Sequence, residues 1–369
     1  MKRYASVAGP LGAAVARLPV RVRTLRAWLL VCLVAGCGQP PAAGVRVGVD
    51  VDAGTLDPRL MRDTTAYHVV DLLYDGLVRL DAALEPVPGL ATHWEHPDPT
   101  TWVFHLREGV AFHDGAALTA ADVVYTFETI LDPELGAPLR SLYQPVTRVT
   151  ALDDHTVEVT LAAPYAPLLA YLDLGIVSRA AAEAGRDLGT APAGTGPFRL
   201  GRWERGSRIV LEANPAYWGG PPELETVEFV LVPDNTARAQ AFEAGDLDII
   251  QSPLSPLDVR RLADDDRFRH DIRAGVAITY LNFNVSRPQL ADPRVRRALC
   301  MLVDQDAIIG QIYEHTDQPA TSVLLPTSWA HAADVAQPAF APDQARSCST
   351  RRGGATATAT ASGIRMDGP

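Results

Sequence analysis

Histidine is the residue type whose spacing first suggests chemistry in this sequence. His93, His96, His105 and His113 lie in one short stretch, and imidazole can bind a metal ion or act as a general base. Their spacing supports neither role, because no HExxH pattern is present and His93 and His96 flank a tryptophan before loop prolines. No GxSxG motif, Cys/His pair or paired carboxylates stand out. We therefore predict no metal, no cofactor and no catalytic residue, and keep an enzyme only as a rival hypothesis.

Two further patterns imitate ligand sites. The run Gly194-Thr195-Gly196-Pro197 resembles a phosphate-binding loop, but no GK[ST] follows it. The acidic run at residues 264–266 has the charge of an EF-hand but lacks the alternating ligand spacing and the terminal glutamate. We interpret the first as a tight backbone turn and the second as a solvated helix end.

Length and charge limit the class of protein. With 369 residues the chain is expected to form two domains, since single hydrophobic cores stop growing at about 250–300 residues. The formal net charge is −11, although residues 1–36 contain six Lys and Arg side chains and no Asp or Glu. The rest of the chain is thus even more acidic and carries no basic stripe, so nucleic acid is not an expected partner.

Residues 1–36 have the pattern of a lipoprotein signal peptide. A basic segment precedes an apolar core at 27–35, which is far shorter than the roughly 20 residues that a membrane span needs. Small residues then precede Cys37, a pattern typical of lipidation, and residues 37–44 form a Pro-rich tether. We expect an exported protein that is either lipid-anchored to the outer face of the cytoplasmic membrane or periplasmic. The alternative is an ordinary secretion signal with a chance cysteine.

The remaining cysteines do not form a disulfide framework. Cys32 belongs to the signal and Cys348 to an atypical tail, which leaves Cys300 in the folded part. Cys300 lies on a helical pattern, and we predict a buried structural thiol rather than a nucleophile.

Local signals are densest in residues 92–133. Trp102, Phe104 and Leu106 alternate with polar side chains and predict a half-buried strand. A turn follows, and Thr119 with Asp122 three residues later predicts a capping box at the start of an amphipathic helix. The stretch is therefore predicted to fold as strand, turn and capped helix.

Later segments predict further strands and helices. Residues 149–161 and 198–212 alternate on both sides of turn residues and predict two hairpins. Residues 227–250 predict a strand, a helix and a parallel strand. Tyr280, Asn282 and Asn284 alternate along another predicted strand, where amide groups can donate to and accept from a peptide backbone. The alternative is that these asparagines bind the neighbouring loop backbone.

Several of these segments resemble one family. LATHWE, TWVFHLREGVAFHDGAALTAADVVYTFE, GTGPFRLGRWERGSRIVLEANPAYWGG and the phrase E-x-G-x-x-D-I are similar to the family 5 extracellular solute-binding proteins of bacterial ABC importers. The resemblance implies an α/β, periplasmic-binding-protein-like two-lobe fold of type II, with an extra subdomain and an incomplete second lobe. It also implies a monomer whose partners are a peptide or small-molecule ligand and an ABC permease and ATPase complex.

The resemblance also implies a domain division. The predicted parts are the first-lobe core at 45–60 and 194–276, the extra subdomain at 61–193, the start of the second lobe at 277–345, and a tail at 346–369. The tail has no periodicity and contains an Ala-Thr repeat, so we expect a frameshift near Arg346.

The candidate ligand-binding residues come mainly from this resemblance. They occupy the end of the first strand, the loop before the next helix, the capped helix and the predicted cleft strand: Thr55, Leu56, Asp57, Arg62, Asp63, Thr64, Thr65, Tyr125, Tyr280, Asn282 and Asn284. For residues 62–65 a solvated loop with an N-capping threonine is the alternative. The expected ligand is an oligopeptide or dipeptide, and the alternative ligands are a nickel chelate, an opine, haem or an oligosaccharide. The alternative class of protein is a lipid-anchored sensor ectodomain without a role in transport.

Overall fold

The structure is a computed structural model that describes part of the chain: residues 44–269, 278–324, 331–332 and 334–350, with side chains as far as 346. The predicted signal peptide, Cys37 and the tail from 351 onward lie outside the described residues. No helix in the described ranges is long and apolar enough to cross a membrane.

The described chain is an α/β structure. Its strands and helices are β1 Gly44–Val49, α1 Thr64–Leu73, β2 Val78–Leu80, β3 Pro86–Pro88, β4 Ala91–Asp98, β5 Thr101–Leu106, α2 Ala120–Leu131, α3 Arg140–Tyr143, β6 Val146–Asp153, β7 Thr156–Leu161, α4 Leu168–Tyr171, α5 Arg179–Glu183, β8 Phe198–Glu204, β9 Arg208–Ala213, β10 Thr226–Leu231, α6 Asn235–Ala244, β11 Ile249–Ile250, α7 Pro256–Ala263, α8 Pro293–Cys300, α9 Gln305–Gln311 and α10 Pro342–Thr350.

Five strands form a mixed sheet in the order β11-β1-β10-β9-β8. β1 pairs in parallel with β11, with Val47 opposite Ile249, while β9 is antiparallel to β8 and β10. β8 and β9 are the predicted hairpin, and Gly206 in its turn has a φ of 72°, which favours glycine. The predicted strand–helix–strand unit exists as β10, α6 and β11. Its two strands are not a direct pair, however, because β1 lies between them.

The second sheet has four antiparallel strands in the order β4-β5-β7-β6. The predicted alternation of β5 is confirmed, since Phe104 and Leu106 are buried and Trp102 is half-buried on the same face. β6 and β7 form the second predicted hairpin, closed by the backbone N–H of His155 donating to the carboxylate of Asp153 over 2.8 Å.

Helix α2 begins at the predicted cap. The backbone N–H of Thr119 donates to Oδ2 of Asp122 over 2.9 Å, and the Thr119 hydroxyl donates to the same oxygen over 3.0 Å. The other carboxylate oxygen accepts from the backbone N–H of Arg179 over 2.9 Å. Asp122 thus starts α2 and also ties it to α5.

Buried apolar side chains form two clusters. One contains residues between Leu77 and Ile176 and lies around the four-stranded sheet and α2. The other joins residues between Val47 and Tyr74 with residues from Val177 onward, around the five-stranded sheet and α1. The buried residues of helix α1 therefore belong to the cluster around the five-stranded sheet.

The described part beyond residue 277 is mainly helix and loop. Residues 278–284 form no strand, so the predicted cleft strand is wrong. α10 contacts α8, and the backbone N–H of Ala341 donates to the carbonyl of Met301 over 2.9 Å. Cys300 at the end of α8 is a free thiol that is half-buried rather than buried. α10 continues through residue 346, where the tail was predicted to begin.

Candidate ligand-binding site

The loop between β1 and α1 is fixed to the β8–β9 hairpin. Asp52 accepts from Nε1 of Trp203 over 3.0 Å and from the backbone N–H of Gly206 over 2.8 Å. The guanidinium of Arg205 lies 3.4 Å from the centroid of the Trp203 ring and donates to the carbonyl of Ala53 over 3.1 Å. These contacts hold the first half of the loop against the five-stranded sheet.

Asp63 fixes the second half of the loop to α1. Its carboxylate accepts from the backbone N–H of Ala66 over 2.7 Å, which makes it the N-cap of α1. The other oxygen accepts from the backbone N–H of Gly54 over 2.9 Å. The cap is therefore Asp63 and not a threonine, and the neighbouring Arg62 and Thr64 are left exposed to solvent.

A buried ion pair connects the same loop to α2. Asp57 and Arg59 approach to 2.7 Å, and Nη1 of Arg59 donates to the hydroxyl of Thr129 over 2.9 Å. The guanidinium also lies 5.7 Å from the centroid of the Tyr125 ring. Tyr125, predicted from its place on the helix, is half-buried and packs against the cluster that contains α1. The structure thus brings Tyr125 and residues 55–65 together.

Burial separates the predicted loop residues into two groups. Leu56 is 0% exposed and its side chain packs in the core. Thr65 at 1% and Asp57 at 4% exposure are also enclosed, and Asp57 is used by Arg59. Thr55 is half-buried, and its hydroxyl accepts from the backbone N–H of Asp57 over 3.2 Å.

The three later residues are not brought to this loop by a strand. Tyr280, Asn282 and Asn284 are all exposed, in a stretch without regular secondary structure. Oδ1 of Asn284 accepts from the backbone N–H of Ser286 over 3.1 Å, and the Asn284 carbonyl accepts from Arg287. For Asn284 the alternative interpretation, a bond to the neighbouring loop backbone, is the one observed.

Asp75, just after α1, connects two loops. Its buried carboxylate accepts from the Thr195 hydroxyl over 2.9 Å, the Tyr217 hydroxyl over 3.0 Å and Nε1 of Trp218 over 2.9 Å. The Tyr217 and Trp218 rings, with centroids 5.1 Å apart, thus pack together on this carboxylate. The Gly194–Thr195 turn is equally structural, because a Cβ on Gly194 would lie 1.9 Å from the carbonyl oxygen of Leu73.

His113 is a structural residue. Its Nε2 donates to the carbonyl of Gly196 over 3.1 Å, and burial lowers the pKa of the imidazole to about 4. A neutral ring committed to a backbone carbonyl fixes the His113 turn to the Gly196 loop. His113 was considered for chemistry from the sequence, and its position gives it a packing role.

A separate cavity of about 320 Å³ lies beside α1. Tyr67, Asp71 and Tyr74 of α1 and its C-cap line one wall, and Tyr143 and Asp173 line another. None of the predicted ligand-binding residues lines it. The clamped loop, with Tyr125 beside it, therefore remains the candidate site.

Sequence reasoning missed three residues that build this site. Arg59 joins Asp57 to α2, while Trp203 and Arg205 hold the loop from the hairpin. The acid-x-arginine spacing of Asp57 and Arg59 was the one local signal available, because such a pair can close on itself. The contacts of Trp203 and Arg205 join residues about 150 positions apart and leave no local pattern.

The mixed sheet, the second antiparallel sheet and the clamped loop define an α/β binding-protein fold. The model of the bacterial extracellular solute-binding proteins, family 5 Middle, matches residues 85–350. The chain therefore belongs to this family, whose members bind solutes and are not enzymes.

Individual relatives agree with this assignment. The dipeptide-binding protein of Escherichia coli K12 is 31% identical over 79% of this chain and 59% of its own length. The structure of the periplasmic binding protein DppA from Helicobacter pylori, in complex with the peptide STSA, superposes with a TM-score of 0.76 at 28% identity, covering 85% of this chain and 67% of that one. MoaA from A. tumefaciens R10, in complex with mannopinic acid, superposes with a TM-score of 0.71 at 27% identity, covering 83% and 64%. The predicted periplasmic-binding-protein-like fold class is confirmed.

Proposed function

We propose that this chain is the solute-binding receptor of an ABC importer and captures an oligopeptide or dipeptide. The observation that carries the proposal is the loop after β1, which is clamped by Asp52, Asp63 and Arg59 yet leaves Arg62 and Thr64 exposed. The relative named as a dipeptide-binding protein and the similar structure in complex with a peptide support this ligand class.

A rigid loop suits capture of a flexible ligand. Because its backbone is already ordered, binding does not have to offset the ordering entropy of the protein side. Thr55, Thr64 and the Tyr125 phenol can each donate and accept a hydrogen bond, and Arg62 can donate several. These groups match the alternating carbonyls and amides of a peptide main chain. We propose that they contact ligand, and that Leu56, Asp57, Asp63 and Thr65 support them.

The receptor would act outside the cytoplasm. We propose that residues 1–36 export the chain, that Cys37 carries the lipid, and that a permease with its ATPases receives the ligand. Metabolic labelling with a radioactive fatty acid tests the anchor. Label is expected on the wild-type chain and absent from Cys37→Ser. Label that persists in Cys37→Ser would refute the assignment of the lipid to Cys37.

Native mass spectrometry of the exported protein tests the ligand class. We expect a bound mass that dissociates on unfolding and fragments as a peptide, and a loss of at least about tenfold in occupancy for Arg62→Ala. Arg148→Ala, at an exposed position of β6, is the matched control and should retain the ligand. A bound sugar–amino-acid conjugate would contradict a peptide ligand and support an opine. A bound metal chelate would support the nickel alternative.

A further inference from the structure

Three potential metal ligands converge on the exposed face of the β4–β5 pair. His93 of β4 lies directly opposite His105 of β5, and Glu95 is two residues along from His93 on the same face. One ligand atom from each of the three side chains lies within 4.8 Å of the others. The imidazoles are stacked, with ring centroids 4.3 Å apart.

The backbone beneath this cluster belongs to the four-stranded sheet. Trp94 and Phe104, the intervening cross-strand pair, point to the opposite face and pack in the hydrophobic cluster. β5 is an inner strand with β4 on one side and β7 on the other, and His105 lies opposite Thr156 of β7. His105 is therefore held by strands on both sides, whereas His93 and Glu95 lie on the edge strand β4 with exposed side chains that can adjust.

Hydrogen bonding selects the tautomer of His93. The Thr92 hydroxyl lies 3.1 Å from the carbonyl oxygen of His105 and 3.0 Å from Nδ1 of His93. A hydroxyl has one proton, and the carbonyl can only accept it, so Nδ1 of His93 must be the donor in the other bond. The Nε2 lone pair of His93 is then free for a cation, in the arrangement by which neighbouring groups orient metal-binding histidines.

His105 supplies an independent observation. Its Nε2 atom is enclosed and makes no hydrogen bond of acceptable geometry, although Oε1 of Glu95 is 3.3 Å away. An enclosed polar atom without a partner is unfavourable, and a cation placed between the imidazole and the carboxylate would satisfy both groups.

We propose that His93, Glu95 and His105 bind a divalent transition-metal ion of the Zn²⁺ class, with a fourth position open to water. Two imidazole nitrogens and one carboxylate oxygen are a ligand set that zinc accepts, at bond lengths of about 2.0–2.1 Å. Tetrahedral ligands at those lengths lie about 3.3 Å apart. The three ligand atoms lie within 4.8 Å of one another, so rotation of the side chains would have to bring them to this separation. The site shares no residue with the proposed ligand site and is independent of the proposed function.

Calorimetric titration of the metal-free full chain with ZnCl₂ tests the site. We expect each of His93→Gln, Glu95→Gln and His105→Gln to bind one zinc equivalent fewer than the wild type. For His105→Gln the affinity for zinc should fall by more than about 100-fold. Thr92→Val, which removes only the orienting hydroxyl, should weaken binding by about 10–100-fold. His96→Gln is the matched control, because His96 is an exposed histidine of the same strand that stacks on Trp102 instead.

Circular dichroism of each variant establishes that it is folded before titration. The proposal fails if the folded variants bind as many zinc equivalents as the wild type with unchanged affinity. It also fails if His96→Gln weakens zinc binding as much as His105→Gln does. That result would mean that zinc binds surface histidines in general and not a defined site.

Discussion

Asp57 and Arg59 form an ion pair at 2.7 Å in which the carboxylate side chain is 6% and the guanidinium side chain 7% exposed. The two residues are neighbours in the loop after β1, but Arg59 also donates to Thr129 of α2. The candidate site is thus built on a buried charge pair that joins two separate elements. Such a pair contributes mainly to the geometry of the site, because removing one partner leaves the other charge buried and uncompensated.

Replacing Arg59 with methionine should strongly destabilise the fold. The change preserves much of the apolar volume but leaves the Asp57 carboxylate unpaired in a buried position. We expect the free energy of unfolding to fall by about 3–5 kcal/mol in urea denaturation. Arg179→Met is the control, because its ion pair with Glu183 is about half exposed and screened by solvent, so its loss should have a much smaller effect. Equal losses in the two variants would contradict the role given to Arg59.

Substituting alanine for Gly194 should disrupt the loop that packs on the end of α1. The added Cβ would meet the Leu73 carbonyl oxygen at 1.9 Å, and backbone atoms on both sides cannot move aside easily. We expect a loss of about 3 kcal/mol or more in unfolding free energy. Gly109→Ala has open space around the new methyl group but a φ of 74°, so strain alone should make it about 1 kcal/mol less stable. If the steric explanation is correct, Gly194→Ala loses more unfolding free energy than Gly109→Ala.

Asp75→Ala should loosen the aromatic loop. Thr195, Tyr217 and Trp218 each lose their hydrogen-bond acceptor, and we expect a loss of about 2–4 kcal/mol, with a change in tryptophan fluorescence. Asp81→Ala removes a carboxylate that accepts only from exposed turn amides and should have a much smaller effect. Unchanged fluorescence in Asp75→Ala would contradict the proposed contact with Trp218.

His113 should make stability depend on acidity. The folded pKa is about 4 and the usual value is about 6.5, so between these values the unfolded state binds a proton that the folded state does not. The free energy of unfolding is therefore unaffected by His113 above about pH 6.5. As the pH is lowered towards 4, His113 reduces it by about 3 kcal/mol. His113→Gln cannot titrate and should show a smaller loss across the same range. Parallel pH profiles for the two proteins would refute the assignment.

Several elements could be predicted because their signals are local. The capping box of Thr119 and Asp122, the alternation around Phe104 and the turn at Gly206 depend on residues within a few positions of one another. The strand predicted around Tyr280 failed for the opposite reason. Alternation of side chains predicts a strand only when a neighbouring strand pairs with it, and the described structure provides none for residues 278–284.

The sequence by itself determined the family, the α/β class, both hairpins and the start of α2, because repeated apolar spacing and caps act over short distances. Only the tertiary structure decided which predicted site residues are enclosed, since Leu56 and Thr65 differ from exposed Thr64 by their packing and not by their local pattern. It also decided the approach of His93, Glu95 and His105. That approach depends on the register between β4 and β5, which places side chains from two strands on one face.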